Sequence, residues 1–142
     1  MWDTFQSQGV KKYSMLLGGH GAGGTIPAST TYYVTPFVNG LSAIGNNAFI
    51  PITGVVKNLL IRMSGTQPAS GSLVVTFFNG GGATVLSVTI SAGAGVGTYQ
   101  DAVNKIAYGA GDIFRIELRN NALAASAPIS MVVCQFEVNV SS

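Results

Sequence analysis

Residues 113–119 read I-F-R-I-E-L-R, and the alternation is unbroken. Phe114, Ile116 and Leu118 point to one side of an extended chain, and Arg115, Glu117 and Arg119 to the other. A strand with one dry face and one wet face must lie in a sheet whose dry face is covered by a second layer. Tyr108-Gly109-Ala110-Gly111-Asp112, just upstream, is a turn: Gly109 and Gly111 supply positive-φ positions, and the Asp112 carboxylate caps the backbone ahead of the strand.

Other segments repeat this pattern. Residues 72–79 and 83–91 are β-rich runs around Asn79-Gly80-Gly81-Gly82, a hairpin signal with a longer loop, and Leu86, Val88 and Ile90 share one face. In residues 129–140, Val132, Cys134, Phe136, Val138 and Val140 face in, and Gln135, Glu137 and Asn139 face out. In residues 55–64, Val55, Leu59, Ile61 and Met63 fall on one side, with Lys57 and Arg62 on opposite parities. Residues 29–37 form an edge strand closed by Pro36, residues 48–52 a short strand broken by Pro51, and residues 98–107 suit a strand better than a helical turn. Seven to nine strands separated by turn residues, with no convincing helix, predict an all-β antiparallel sandwich or closed barrel.

The chain has 142 residues, enough for one domain with a substantial core. Charged side chains make up 8% of it and hydrophobic ones 47%, against roughly 25% charged in ordinary soluble domains. So few charges point to apolar surface hidden by copies of the chain or by a larger surface, the alternative being a small β domain with an uncharged Ser/Thr/Asn surface. The net charge of +2 and the single basic pair Lys11-Lys12 make no nucleic-acid stripe. No apolar run reaches the ~18 residues of a membrane-spanning helix, and residues 1–8 do not read as a secretory signal.

Residues 1–28 differ from the rest. Trp2 and Phe5 stand among polar residues, Lys11, Lys12 and Tyr13 follow in a segment that could be extended, and residues 18–24 are a glycine-rich linker around His20. The expected division is an N-terminal arm and linker over residues 1–28 and a β-sandwich over 29–142. Trp2, Phe5 and Tyr13 suit the arm as anchors on a partner. The alternative is a loose terminus, or a first strand folded onto its own domain.

Chemistry-bearing residues are sparse. The acids are Asp3, Asp101, Asp112, Glu117 and Glu137, and no two share a motif that pairs them as acid and base. His20 lies in the linker, and the one cysteine, Cys134, reads as a buried small hydrophobe. No metal-binding motif and no phosphate-cradling loop is present, so neither an enzyme nor a cofactor is expected.

The order of T-Y-Y-V-T-P-F (31–37), P-I-T-G-V-V-K-N-L-L-I-R-M-S-G (51–65), G-S-L-V-V-T-F-F-N-G (71–80) and A-Y-G-A-G-D-I-F-R-I-E-L (107–118) resembles small jelly-roll modules of tailed-phage virions. The last motif is also similar to trimeric TNF/C1q-like jelly rolls. The likeness covers about residues 30 to 140. It implies a jelly-roll β-sandwich and a homotrimer on the capsid surface of a virion. The role it implies first is that of a decoration (cement) protein, whose arm residues Trp2, Phe5, Lys11, Lys12 and Tyr13 bind the major capsid protein. A receptor- or glycan-binding tail module, with its site in loops such as residues 39–47, is the second role the resemblance implies. A secreted TNF-like ligand would call for a signal and disulfides.

Overall fold

A computed structural model describes residues 11–18, 24–34, 41–44, 47–49, 51 and 53–140. Among these there are ten strands and no helix: β1 (Lys11–Gly18), β2 (Gly24–Ile26), β3 (Thr31–Val34), β4 (Ala48–Phe49), β5 (Gly54–Met63), β6 (Leu73–Asn79), β7 (Gly82–Ile90), β8 (Gly97–Tyr108), β9 (Ile113–Asn120) and β10 (Ala127–Val140). They form two antiparallel sheets, with the core of a β-sandwich between them. The first sheet has the order β1-β10-β5-β8, with β2 also on β10; the second has the order β3-β9-β6-β7, with β4 also on β9.

The alternation in β9 turns out as its pattern predicts. Phe114, Ile116 and Leu118 are buried, and Arg115, Glu117 and Arg119 lie on the outer face. β6 contributes Leu73, Val75 and Phe77 to the core, β7 Leu86, Val88 and Ile90, and β10 Val132, Cys134, Phe136 and Val138. At the centre, the rings of Phe77, Tyr108, Phe114 and Phe136 meet at centroid separations of 5.1 to 6.0 Å, mostly tilted or edge-on. This is the geometry in which ring quadrupoles attract.

β5 departs from simple alternation. The buried residues are Val56, Leu59, Ile61 and Met63, with Val55 on the outer side. Asn58 has a φ of 52° and sits where β5 slips register against both neighbours. Asn tolerates this left-handed conformation, so it can host a bulge that flips the strand's parity. Lys57 and Arg62 therefore share the outer face. At the start of the same strand, Gly54 lets β5 pass beneath the Tyr108 ring: a Cβ there would collide with the Glu137 carbonyl oxygen and lie 2.6 Å from the Tyr108 hydroxyl.

The β6–β7 loop is shorter than expected. Asn79 pairs with Gly82, leaving the two-residue turn Gly80-Gly81 with φ of 61° and 84°. Positive φ at both positions gives the turn whose twist matches the strands it joins.

Residues 11–18 and 24–26, placed before the body in the sequence reading, pair with β10 along one edge: Lys11 opposes Val140, Gly18 opposes Val133, and Gly24 opposes Ile129. Ile26 is fully buried in the core. β10 is fourteen residues long and β5 covers only one of its edges, so β1 and β2 satisfy the backbone groups on the other.

Candidate functional site

The sandwich has two ends. At the hairpin end lie the start of β1, the Gly80-Gly81 turn, and the turn between β8 and β9. At the loop end lie the connections at residues 64–72, 91–96 and 121–126. Two carboxylates and one amide fix these regions.

Asp112 holds the hairpin end. Its Oδ2 accepts from the Gly109 N–H at 2.9 Å and from Asn79 Nδ2 at 3.1 Å, and these bonds keep its carboxyl below the usual carboxylate range. The Gly80 N–H donates to the Ile113 carbonyl. Gly111 has a φ of 84°, as a turn glycine should. Gly109, read from the sequence as a second positive-φ position, is not one; it contributes its N–H to Asp112 instead, and Asp112 also ties the turn to the neighbouring hairpin.

Asn120 holds the loop end, continuing the inward face of β9 with an amide. Its Nδ2 donates to the carbonyls of Ile26, Pro27 and Ala125, and its Oδ1 accepts from the Ala122 N–H and Gln67 Nε2. Buried polar groups persist only when so satisfied. The signal was visible as an inward-parity Asn closing an alternating run.

Asp101 joins the two sheets. It is 8% exposed, and β8 places residues 102–104 opposite the single residue Asn58. Asp101 Oδ1 accepts from the backbone N–H groups of Val103 and Asn104, while Oδ2 accepts from Asn104 Nδ2 and, across the sandwich, from the Ser87 N–H of β7. Burial pulls its pKa up, but the hydrogen bonds from Asn104, Ser87 and Val103 outweigh it and hold the carboxyl below its ordinary value. The bulge thrusts Val103 outward, 89% exposed. Asp101 was not singled out from sequence, although D-A-V-N, an acid three residues before an Asn at a break in alternation, carries the signal.

The outer faces differ. On the second sheet, Arg115 Nε and Nη2 each lie 3.0 Å from Glu117 Oε1, and the guanidinium carbon sits 4.8 Å from the Phe78 ring centroid and 6.0 Å from that of Tyr33. This cation is committed to neighbours within its own sheet. On the first sheet, Leu60, Met131 and Val133 line an open groove of about 500 Å³ with Asn58, Gln100 and Gln135. Asn58 Nδ2 donates to Gln135 Oε1 at 2.6 Å, and Lys57 pairs with Glu137 at 2.9 Å. A third feature is a polar hollow of about 560 Å³ at the β7–β8 edge, lined by residues that include Ser87, Thr89, Tyr99, Gln100 and Asn104.

Of the arm residues, Lys11, Lys12 and Tyr13 belong to β1, while Trp2, Phe5 and His20 lie outside the described residues. Among the described residues, no group of three or more His, Cys, Asp or Glu side chains could hold a metal ion. Among the described residues, no helix is long and apolar enough to cross a membrane.

Cys134 is fully buried, and burial pushes its thiol up to about 12. It should stay unreactive toward a thiol reagent at about pH 8 in the folded protein and titrate as one thiol after denaturation. Fast native-state labelling would contradict this placement.

No family model matches the chain, and no curated protein matches it.

Proposed function

We propose that this chain is a structural protein of a virus particle: a jelly-roll module that assembles as a homotrimer, decorates the capsid of a tailed phage, binds the major capsid protein lattice and stabilises the head. The observation that carries the reading is the strand order. Sheets of order β1-β10-β5-β8 and β3-β9-β6-β7, with the chain crossing between them after most strands, are what two interleaved Greek keys require. Jelly rolls of this size recur as coat and attachment modules, and the sequence motifs resemble virion members of that group.

The outer face of the first sheet supports self-association. Leu60, Met131 and Val133 around the groove form an apolar centre, with the Lys57–Glu137 pair toward one side. An apolar middle with charges kept to its margin is how association surfaces are composed. Charged residues amount to only 8% of the chain, so little else is available to keep such a face in water.

Light scattering should give three times the 14.6 kDa chain mass. Met131→Glu with Val133→Glu should return it to one, because burying unpaired carboxylates in a contact is costly. A wild-type mass of a single chain would retire the trimer. The purified trimer should also bind head shells of the phage that encodes it.

The polar hollow at the β7–β8 edge favours a second reading, a tail-associated receptor- or glycan-binding module. Its hydroxyls, amides and the Tyr99 ring suit a neutral, hydroxyl-rich ligand. In that case Tyr99→Ala should abolish host-cell binding, and head shells should not capture the chain.

A further inference from the structure

We infer that Asp101 has a second task beyond joining the sheets: it guards the open edge of β7 against pairing with another strand, and the strand it excludes is the β7 edge of a second copy of this chain. β7 and β8 are the last strands of their sheets, and among the described residues no strand closes the seam between them. The hollow of about 560 Å³ lies along that seam, with Ser87, Val88 and Thr89 on one side and Tyr99, Gln100 and Asn104 on the other. Of the side chains that line it, only that of Asp101 is charged. Leu60, Met131 and Val133 do not line it, so the guard is independent of the trimer contact proposed above.

One hydrogen bond shows which way the edge faces. Ser87 donates its backbone N–H to Asp101 Oδ2 at 3.2 Å, away from its β6 partner Thr76. Backbone donors alternate between the two sides of a strand, so Thr89 sends its N–H to the same open side, while Val88 and Ile90 turn theirs toward β6. Residues 84–86 face the single residue Phe77, and this bulge breaks the ladder toward the hairpin. The regular edge is therefore residues 87–90, and a strand laid against it must bring a carbonyl oxygen to the Ser87 N–H. The Asp101 carboxylate already sits there, so an incoming carbonyl meets both an occupied donor and a negative charge.

β7 has little other protection. Residues 82–90 contain no charged side chain and no proline, the residue types that natural sheets place on their edges, and they are rich in β-branched residues. The other margin of the second sheet is made of β3 and β4, four and two residues long, which offer little ladder to a partner. β8 carries Lys105 and the break at residues 102–104. An uncharged edge meets no repulsion from its own copy: two β7 strands related by a two-fold axis run antiparallel and present the same donors and acceptors to each other. A charged residue turned into the edge is one of the devices by which sheets prevent such pairing.

The test is scattering mass against concentration for the wild type, Asp101→Asn, Asp101→Asn with Thr89→Lys, and Leu118→Ala, with circular dichroism to establish that each is folded. Asp101→Asn should rise with concentration to at least twice the wild-type mass, whatever the wild-type assembly is. Thr89 is exposed on the open edge, and a positive charge there repels its own copy. The double variant should therefore return to the wild-type mass while its urea midpoint stays with that of Asp101→Asn. Leu118→Ala, a truncation in the buried core that leaves the seam intact, controls for lost stability and should keep the wild-type mass at its lower midpoint. If Asp101→Asn misfolds, Asp101→Ser takes its place, because a hydroxyl still accepts from the Val103 N–H but is too short to reach Ser87. A wild-type mass for the folded Asp101 variant at every concentration overturns the guard. Association that persists with Thr89→Lys, or that Leu118→Ala shares, also overturns it, since either outcome traces the association to partial unfolding and not to the β7 edge. The trimer reading survives all of these outcomes and is decided by the wild-type mass alone.

Discussion

Phe136→Ala should be the most damaging single truncation in this protein, lowering the unfolding free energy by about 3–5 kcal/mol. Phe136 is fully buried and meets Phe77 at 6.0 Å, Tyr108 at 5.6 Å and Phe114 at 5.5 Å. These partners come from β6, β8 and β9, and Phe136 from β10, so one ring joins strands of both sheets. Removing it opens a cavity that three rigid rings cannot fill by rotating. A domain of this size holds roughly 5–15 kcal/mol in all, so the variant would sit near its unfolding threshold. Urea denaturation measures the effect. Phe136→Leu, which keeps most of the volume, should cost under about 1.5 kcal/mol, and Val103→Ala, at an 89% exposed site, under about 0.5 kcal/mol. Equal midpoints for Phe136→Ala and Val103→Ala would mean that the aromatic cluster does not hold the sheets together.

Asp101→Asn should cost about 2–4 kcal/mol at neutral pH, because the new amide nitrogen faces donors it cannot accept from. The Ser87 N–H and Asn104 Nδ2 both point at Oδ2, and the Val103 and Asn104 N–H groups at Oδ1. Whichever way the amide turns, at least two donors lose their acceptor. The pH dependence separates this from a packing defect. The folded-state pKa of Asp101 lies below its ordinary value, so the folded chain binds its proton less readily than the unfolded chain. Its stabilisation is therefore complete above the unfolded value, near pH 4, and is lost as pH falls through the lower folded value. Wild type should lose stability as pH falls below about 4, and Asp101→Asn should lose less over the same range. Asp112 is depressed in the same direction and accounts for part of what remains. Identical acid limbs for the two proteins would show that Asp101 is not the inter-sheet tie described here.

The residues proposed for association are separate from those that hold the fold. Phe136, Asp101 and Asn120 face inward or across the sandwich, whereas Leu60, Met131 and Val133 have side chains that reach the surface. Surface variants can therefore change occupancy or mass without moving the urea midpoint, and this separation makes the tests of function independent of the tests of fold.

Local pattern fixed much of the architecture. Alternation placed Phe114, Ile116, Leu118, Leu86, Val88, Ile90, Val132, Cys134, Phe136 and Val138 inward, because side chains on a pleated strand have a period of two whatever surrounds them. Gly111 and Asp112 announced their turn, because a positive φ and a short carboxylate are needed within a few residues.

What only the tertiary structure decided involves distant partners. The bulge at Asn58 inverted half of β5, exchanging Val55 for Val56 in the core, because register is set by β8 and β10 and not by β5 alone. Asp101 became a tie between sheets because Ser87 lies opposite it. Residues 11–18, assigned from sequence to an N-terminal arm, became an edge strand because β10 offers an open ladder. A chain of neighbours specifies which way each side chain points; which backbone lies alongside it depends on contacts that arise only when the two sheets close on each other.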